Sequence, residues 1–246
     1  MTTFPYETTE NTTPTMGLVV LQTDERIEMD MRHLLSPDIT LHVTRIPSGA
    51  TVTNDTLSQM ENDLPAAAAL FPQAANFDVI GYGCTSGTSV IGAPRIAELI
   101  QGRCKTTHVT EPVSALIAAC KHMGLKRIAF LSPYVAGVSQ TLRDTLQVAG
   151  IQSPVFGSFD EASEQRVVRI SPHSTRDAAI ALNTDGVDAV FLSCTNLNTL
   201  SVIDEIEAVI NKPCLSSNQV LAWHMSQLAG VNSSQNRIGR LLKSGG

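Results

Sequence analysis

The sequence predicts an α/β protein built on a duplicated unit, each copy a parallel sheet flanked by helices. Eight short apolar, strand-like stretches alternate with eight helix-like ones, the pattern of parallel strands joined by crossover helices. Residues 78–92, DVIGYGCTSGTSVIG, put a cysteine just past a strand, and residues 188–199, DAVFLSCTNLNT, repeat the device: an Asp, five residues, then Cys-Thr. Asp24, Cys84, Tyr134 and Cys194 all fall at the carboxyl ends of strands, where open parallel sheets bind their ligands.

Residues 1–15, rich in Thr with Pro5 and Pro14, lack an apolar period and read as a loose arm. Residues 17–21 are continuously apolar, a buried first strand. Beyond them Ile27, Met31, Leu34 and Leu35 recur at helical spacing, with Asp24 available as the N-cap. Residues 39–46 alternate as a half-buried strand closed by Pro47-Ser48-Gly49, and 53–71 form a long helix with Thr53, Asn54 or Thr56 as its cap. Val79 and Ile80 end the next strand; Gly81 and Gly83 read as a tight turn, and an amphipathic helix runs over 89–100, in which Pro94 is acceptable only within the first turn. A strand at 108–109, a polar turn at Glu111-Pro112 and a helix over 113–123 follow.

Strand 127–131 comes next, ending in the turn Ser132-Pro133-Tyr134 before a helix carrying Val138, Leu142 and Leu146. Strand 155–159 leads to the polar residues 160–165, read as a lid or cleft wall, with Arg166 and Arg169 either meeting a carboxylate or lying on a solvated face. A helix over 177–182, strand 189–193, a helix carrying Val202, Ile203, Ile206, Val209 and Ile210, and strand 214–216 follow. Ser217-Asn218-Gln219 turns into a helix over 220–228, and a short helix is expected over 236–243.

With 246 residues, 43% of them hydrophobic, the chain can bury a sizeable core as one large domain or two small ones. A net charge of −6 and the lack of any Lys/Arg run argue against a nucleic-acid surface. No apolar stretch approaches the roughly 20 residues of a membrane span, and the N-terminus lacks a basic segment followed by an apolar one. A soluble, cytoplasmic protein is expected. The five cysteines are an odd number with no C-x-x-C spacing, and no two histidines share ligand spacing on a helix, which speaks against a disulfide framework and a metal centre. Only 4% of residues are aromatic, so small polar ligands fit better than large rings.

A cysteine in the first turn of a helix meets unpaired N–H groups and a positive dipole end, which lowers its pKa from about 8.5. The plainer reading of Cys84 is a small buried hydrophobe; its repetition at Cys194 favours two thiols facing one cleft. Tyr134 either offers its hydroxyl to an anion or packs its ring on the core with the hydroxyl in water. Paired thiols across a small carboxylate suit two courses: proton removal beside the carboxylate with return from the opposite face, or addition to an activated double bond, rotation and departure. Each builds negative charge on the carboxylate. Backbone N–H groups at the Cys-Thr turns and the hydroxyls of Thr85, Ser86 and Thr195, with Asn196 beside them, are suitable donors to it.

The motifs GYGCTSGT, FLSPYVAGV, FLSCTNLNT and LSSNQVLAWH, in that order across residues 16–230, resemble the Asp/Glu racemase superfamily. The likeness is to its maleate cis-trans isomerase and arylmalonate decarboxylase branch, nearest to ectoine-utilisation proteins. The resemblance implies a cofactor-independent enzyme, usually a homo-oligomer such as a dimer or tetramer, of two pseudo-symmetric α/β halves with the active-site cleft between them. The halves are expected at 16–112 plus 217–246 and at 113–216, after an arm over 1–15. Cys84 and Cys194 match the two active-site cysteines of the isomerases and racemases, whereas the decarboxylases keep only the second. Thr85, Ser86 and Tyr134 match carboxylate-binding positions. Asp24 stands where maleate isomerases carry asparagine, so an anion there repels a second carboxylate and welcomes an ammonium; their later cleft-loop asparagine has no secure match within 160–165. The reading is an isomerase, racemase/epimerase or cis-trans, of a small carboxylate or amino-acid-like substrate. Its rivals are a decarboxylase working through Cys194 and a non-catalytic small-carboxylate-binding protein.

Overall fold

A computed structural model describes residues 1–10, 12–231 and 237–243. Its elements in chain order are β1 (Thr15–Leu21), α1 (Ile27–Leu34), β2 (Thr40–Ile46), α2 (Asn54–Ala68), β3 (Asn76–Gly83), α3 (Thr85–Ile91), α4 (Ala93–Gln101), β4 (Lys105–Thr110) and α5 (Pro112–Met123). There follow β5 (Arg127–Ser132), α6 (Ala136–Val148), β6 (Gln152–Ser158), α7 (Glu164–Val167), α8 (Pro172–Ala181), β7 (Ala189–Leu192), α9 (Ile203–Ile210), β8 (Cys214–Ser216), α10 (Ser217–Leu228) and α11 (Gly239–Lys243). The strands form two four-stranded parallel sheets of the same order, β2-β1-β3-β4 and β6-β5-β7-β8. The duplication read from the sequence is thus a duplication of topology.

The Asp of each repeated motif has a structural task far from its cysteine. Asp78 Oδ2 accepts the Thr15 N–H at 2.8 Å, and Asp188 Oδ2 accepts the N–H groups of Lys126 and Arg127, each at 2.8 Å. Each carboxylate therefore ties down the start of the central strand, β1 or β5, while the cysteine leaves the opposite end of β3 or β7. This is why the spacing between Asp and Cys recurs: it is the length of a strand.

Several expectations need correction. Gly81 and Gly83 lie within β3 with no positive φ; a Cβ on Gly81 would stand 2.7 Å from Met225 Sδ, so this glycine serves close packing of α10 on the sheet and not a turn. The helix expected over 89–100 is two helices, α3 and α4, broken at Gly92 with φ +90°, with Pro94 in the first turn of α4. Thr15 belongs to β1 and not to the arm. Asn236, the expected start of the last helix, lies outside the described residues, and α11 begins at Gly239. Thr53 caps α2 in a reciprocal box with Thr56, as its position predicts.

α5 and α10 pack against each other, and α10 also covers β3 and α1. One apolar cluster runs continuously from Met16, Leu18 and Val20 through Val113, Leu116 and Leu221 to Phe130, Val190 and Phe191, so the two sheets share a core. A second cluster around α2 (Leu57, Met60, Leu64) also takes in Cys84, Tyr134 and Cys194. The cysteines therefore sit in largely apolar surroundings. No described helix is long and apolar enough to cross a membrane.

Candidate active site

The carboxyl ends of the two sheets face one cavity, which holds about 450 Å³ of space free of protein atoms, part of it open to solvent. From the first half its wall takes Cys84, Thr85 and Ser86; from the second it takes Tyr134, Glu164, Cys194, Thr195 and Asn196. Seven of the eight expected site residues are thereby brought together. Asp24 is the exception: it does not reach the wall. Its Oδ1 accepts the N–H groups of Arg26 and Ile27 at 2.7 and 2.8 Å, which is the helix-capping role its position allowed. Its Oδ2 is buried without a hydrogen bond, and burial raises its pKa against those two backbone bonds, the nearby Thr195 side chain and the charge of Arg45.

Cys84 occupies the N-cap of α3, and its Sγ accepts the Gly87 N–H at 3.1 Å. Only glycine fits at 87: a Cβ would lie 2.9 Å from the thiol sulfur and 2.8 Å from both Met60 Cε and Tyr82 Oη. Cys194 is held differently. No helix starts directly after it; residues 195–199 form a turn ahead of the 3-10 segment Leu200–Val202. Its Sγ accepts the Asn196 N–H at 3.2 Å, and its backbone φ of +155° is one that non-glycine residues seldom adopt. The helix-dipole argument therefore applies to Cys84 alone.

The expected lowering of the thiol pKa is reversed. Burial pushes Cys84 up to about 12, outweighing the Gly87 N–H, and the negative charges of Glu164 and Asp24 add to the effect. Burial, followed by the charge of Glu164, likewise raises Cys194 well above the ordinary thiol value. Both shifts favour the thiol over the thiolate.

Glu164 and Ser217 take part in this site without having been singled out as site residues. Glu164 opens the one-turn α7 inside the polar stretch read as a lid, yet it is only 3% exposed. Tyr134 Oη donates to its Oε1 at 2.6 Å and Asn196 Nδ2 donates to its Oε2 at 2.8 Å. Tyr134 Oη also stands 3.0 Å from Cys194 Sγ. A tyrosine has one hydroxyl proton; with that proton given to Glu164, its oxygen accepts from the Cys194 thiol. Burial raises the Glu164 pKa against the bonds from Tyr134 and Asn196. Ser217, in the first turn of α10, accepts the Cys194 N–H at 3.0 Å and the Thr85 hydroxyl at 2.9 Å, which fastens the two Cys-Thr turns to each other. Next to it Asn218 donates to Asp30 Oδ2 and to the Thr195 carbonyl at 2.8 and 2.7 Å. The only sequence signal for these two was the polar run in LSSNQV.

Two loops close over the cavity. Thr51 and Ser163 form an antiparallel bridge, the Val52 N–H donates to the Ala162 carbonyl and the Glu164 N–H to the Ala50 carbonyl, both at 3.1 Å. Outside this seam Arg166 pairs with Glu161 and Arg169 with Glu25, all on the exposed rim or partly so. Among the described residues no group of three or more His, Cys, Asp or Glu side chains is placed to hold a metal ion.

The fold and the site together define a two-sheet α/β protein with a thiol from each half on one buried, carboxylate-lined cavity. The family model described as arylmalonate decarboxylase (Amdase) matches residues 95–242, more than half of the sequence, and the chain belongs to that family. Maleate isomerase from Alcaligenes faecalis is 26% identical over 176 residues, 68% of this chain and 70% of the relative. Among solved structures, maleate isomerase from Pseudomonas putida S16, with maleate, superposes with a TM-score of 0.84 at 24% identity, covering 94% of this chain and 98% of that one. A cysteine-to-serine mutant of the Nocardia farcinica maleate cis-trans isomerase, described with a covalently bound succinylcysteine intermediate, superposes with a TM-score of 0.80 at 21% identity, with coverages of 94% and 98%. These likenesses establish that the fold is shared.

Proposed function

We propose that this protein is a cofactor-independent isomerase of a small carboxylate, with Cys84 and Cys194 as the reacting pair. One observation carries the reading: two thiols, one from each half, line the same cavity, each accepting a backbone N–H, amid the hydroxyls of Thr85, Ser86, Thr195 and Tyr134. In the racemase course one cysteine, as thiolate, removes the proton beside the substrate carboxylate; the opposite thiol delivers its own proton to the other face, and the two cysteines exchange protonation states. In the cis-trans course the thiolate adds to an activated double bond and negative charge passes to the carboxylate. The new single bond rotates, and the C–S bond breaks to return the thiolate. Hydroxyl and backbone donors at the two turns stabilise the enediolate-like charge of either course. The covalent succinylcysteine named for the Nocardia relative supports the second course, and the facing of two thiols suits both.

The test is proton NMR of the reduced protein in D₂O with small amino acids, acylated diamino acids, cis-enedioates and arylmalonates. Loss of an α-proton signal with retained carbon skeleton identifies racemase chemistry, and conversion of a cis to a trans olefin identifies the isomerase. Release of carbon dioxide without either overturns the proposal in favour of a decarboxylase. Ligand-induced stabilisation with no turnover overturns it in favour of a binding protein.

A further inference from the structure

Among the described residues the cavity wall contains one carboxylate, Glu164, and no Lys, Arg or His. This is an unusual place for a carboxylate to be if the ligand brings only negative charge. A substrate carboxylate seated on Thr85, Ser86 and Thr195 adds an anion to a buried space that already holds one, and Asp24 lies close enough to add to the repulsion at Glu164. Like charges brought close together in so buried a site repel each other with little screening by solvent. The surrounding cations are committed elsewhere: Arg26 pairs with Asp30 at 2.8 Å, Arg45, whose charge acts on Asp24, pairs with Glu28, and Arg166 and Arg169 pair with Glu161 and Glu25 on the rim.

Glu164 is also built to accept more than it does. Its two oxygens receive one hydrogen bond each, from Tyr134 and Asn196, whereas an ionised carboxylate offers about four acceptor sites. The Tyr134 and Asn196 bonds fix the carboxylate on the wall, beside Cys194, with acceptor capacity left for a donor inside the cavity.

We propose that Glu164 is an ammonium-binding residue and that the substrate is a carboxylate bearing an amine, an amino acid or diamino acid, and not a dicarboxylate. The assignment rests on the reading of the Cys84–Cys194 cavity as the substrate site, and it moves to Glu164 the charge selection that the sequence placed at Asp24.

The experiment is calorimetric titration of the reduced protein with 2-aminobutyrate and 2,4-diaminobutyrate against butyrate, succinate and maleate, repeated on Glu164→Gln. The expected result for the native protein is at least a tenfold preference for one of the amine-bearing acids over butyrate and over both dicarboxylates. In Glu164→Gln that preference is lost while butyrate binds as well as before or better. Equal or tighter binding of succinate or maleate by the native protein overturns the proposal without recourse to any variant; so does a preference that survives in a folded Glu164→Gln, and so does no measurable preference at all. The two readings fail separately. Amine-selective binding through Glu164 with neither α-proton exchange nor olefin isomerisation leaves this inference standing and removes the isomerase. Turnover of maleate that depends on both cysteines does the reverse.

Discussion

Ser217 Oγ accepts the backbone N–H of Cys194 at 3.0 Å, and the same oxygen takes the Thr85 hydroxyl at 2.9 Å. One side chain on α10 thus sets the spacing between the two halves of the site. Ser217→Ala leaves the buried Cys194 N–H without an acceptor, which costs about 1–3 kcal/mol of stability. It also frees a backbone held at an unfavourable φ. The expected outcome, read from urea melts and turnover together, is a folded protein whose rate falls by about 10²-fold, as misplacement of a reacting group does elsewhere. Turnover within twofold of the native rate would contradict the assigned role.

Tyr134→Phe removes the hydroxyl that donates to Glu164 at 2.6 Å and faces the Cys194 thiol at 3.0 Å. A hydrogen bond to a charged group contributes about 1.5–3 kcal/mol, so denaturant melts are expected to show a loss of that order. The remaining Asn196 bond keeps Glu164 in place, and its pKa rises further. Unchanged stability would show that the Tyr134–Glu164 bond carries no net weight.

Both thiols are raised, Cys84 to about 12 by burial above all. For an acid raised this far, the reactive thiolate is a minor species at neutral pH and grows tenfold per pH unit until the pKa is reached. Alkylation of Cys84 by iodoacetamide, followed by peptide mass spectrometry to separate it from the less buried Cys104, is expected to rise log-linearly with unit slope from pH 7 to 9. A plateau below pH 8 would contradict the burial argument.

That reversal marks where the sequence stops being legible. Buried parallel strands are apolar along their whole length, so β1, β3, β5 and β7 stand out, and polar residues at their carboxyl ends can be read as a site. Cys84, Thr85, Ser86, Tyr134, Cys194, Thr195 and Asn196 follow such strands and line the cavity. Gly92 breaks a helix whose apolar period continues across it, and no periodic signal reports the break. Glu164 lies in a polar run that looks solvated until the Thr51–Ser163 bridge folds it inward. Burial is a tertiary fact, and with it go the direction of the thiol shifts and the difference between Asp24 as a cap and Glu164 as a wall.

Asp30 is fully buried, paired with Arg26 at 2.8 Å and with Asn218, yet burial holds its pKa up to about 6 from 3.8. For a carboxyl raised in the folded state, the stabilisation is fully present below the unfolded value and is lost as pH rises through the folded one. Relative to Asp30→Asn, whose side chain does not titrate, the native protein is expected to lose on the order of 3 kcal/mol between pH 4 and pH 7. Urea melts of both proteins at four pH values measure this. A difference independent of pH would show that folding leaves the Asp30 pKa unshifted.

The central claim is that one thiol from each half acts on one substrate. Its most direct measurement is the rate of α-proton exchange or of cis-trans conversion, by proton NMR in D₂O, for the native protein, Cys84→Ala and Cys194→Ala on the acid that turns over. Each single variant is expected to stay folded and to lose at least about 10³-fold in rate, since proton transfer or covalent attack by either thiol is then missing. Native-like turnover by either variant would contradict it.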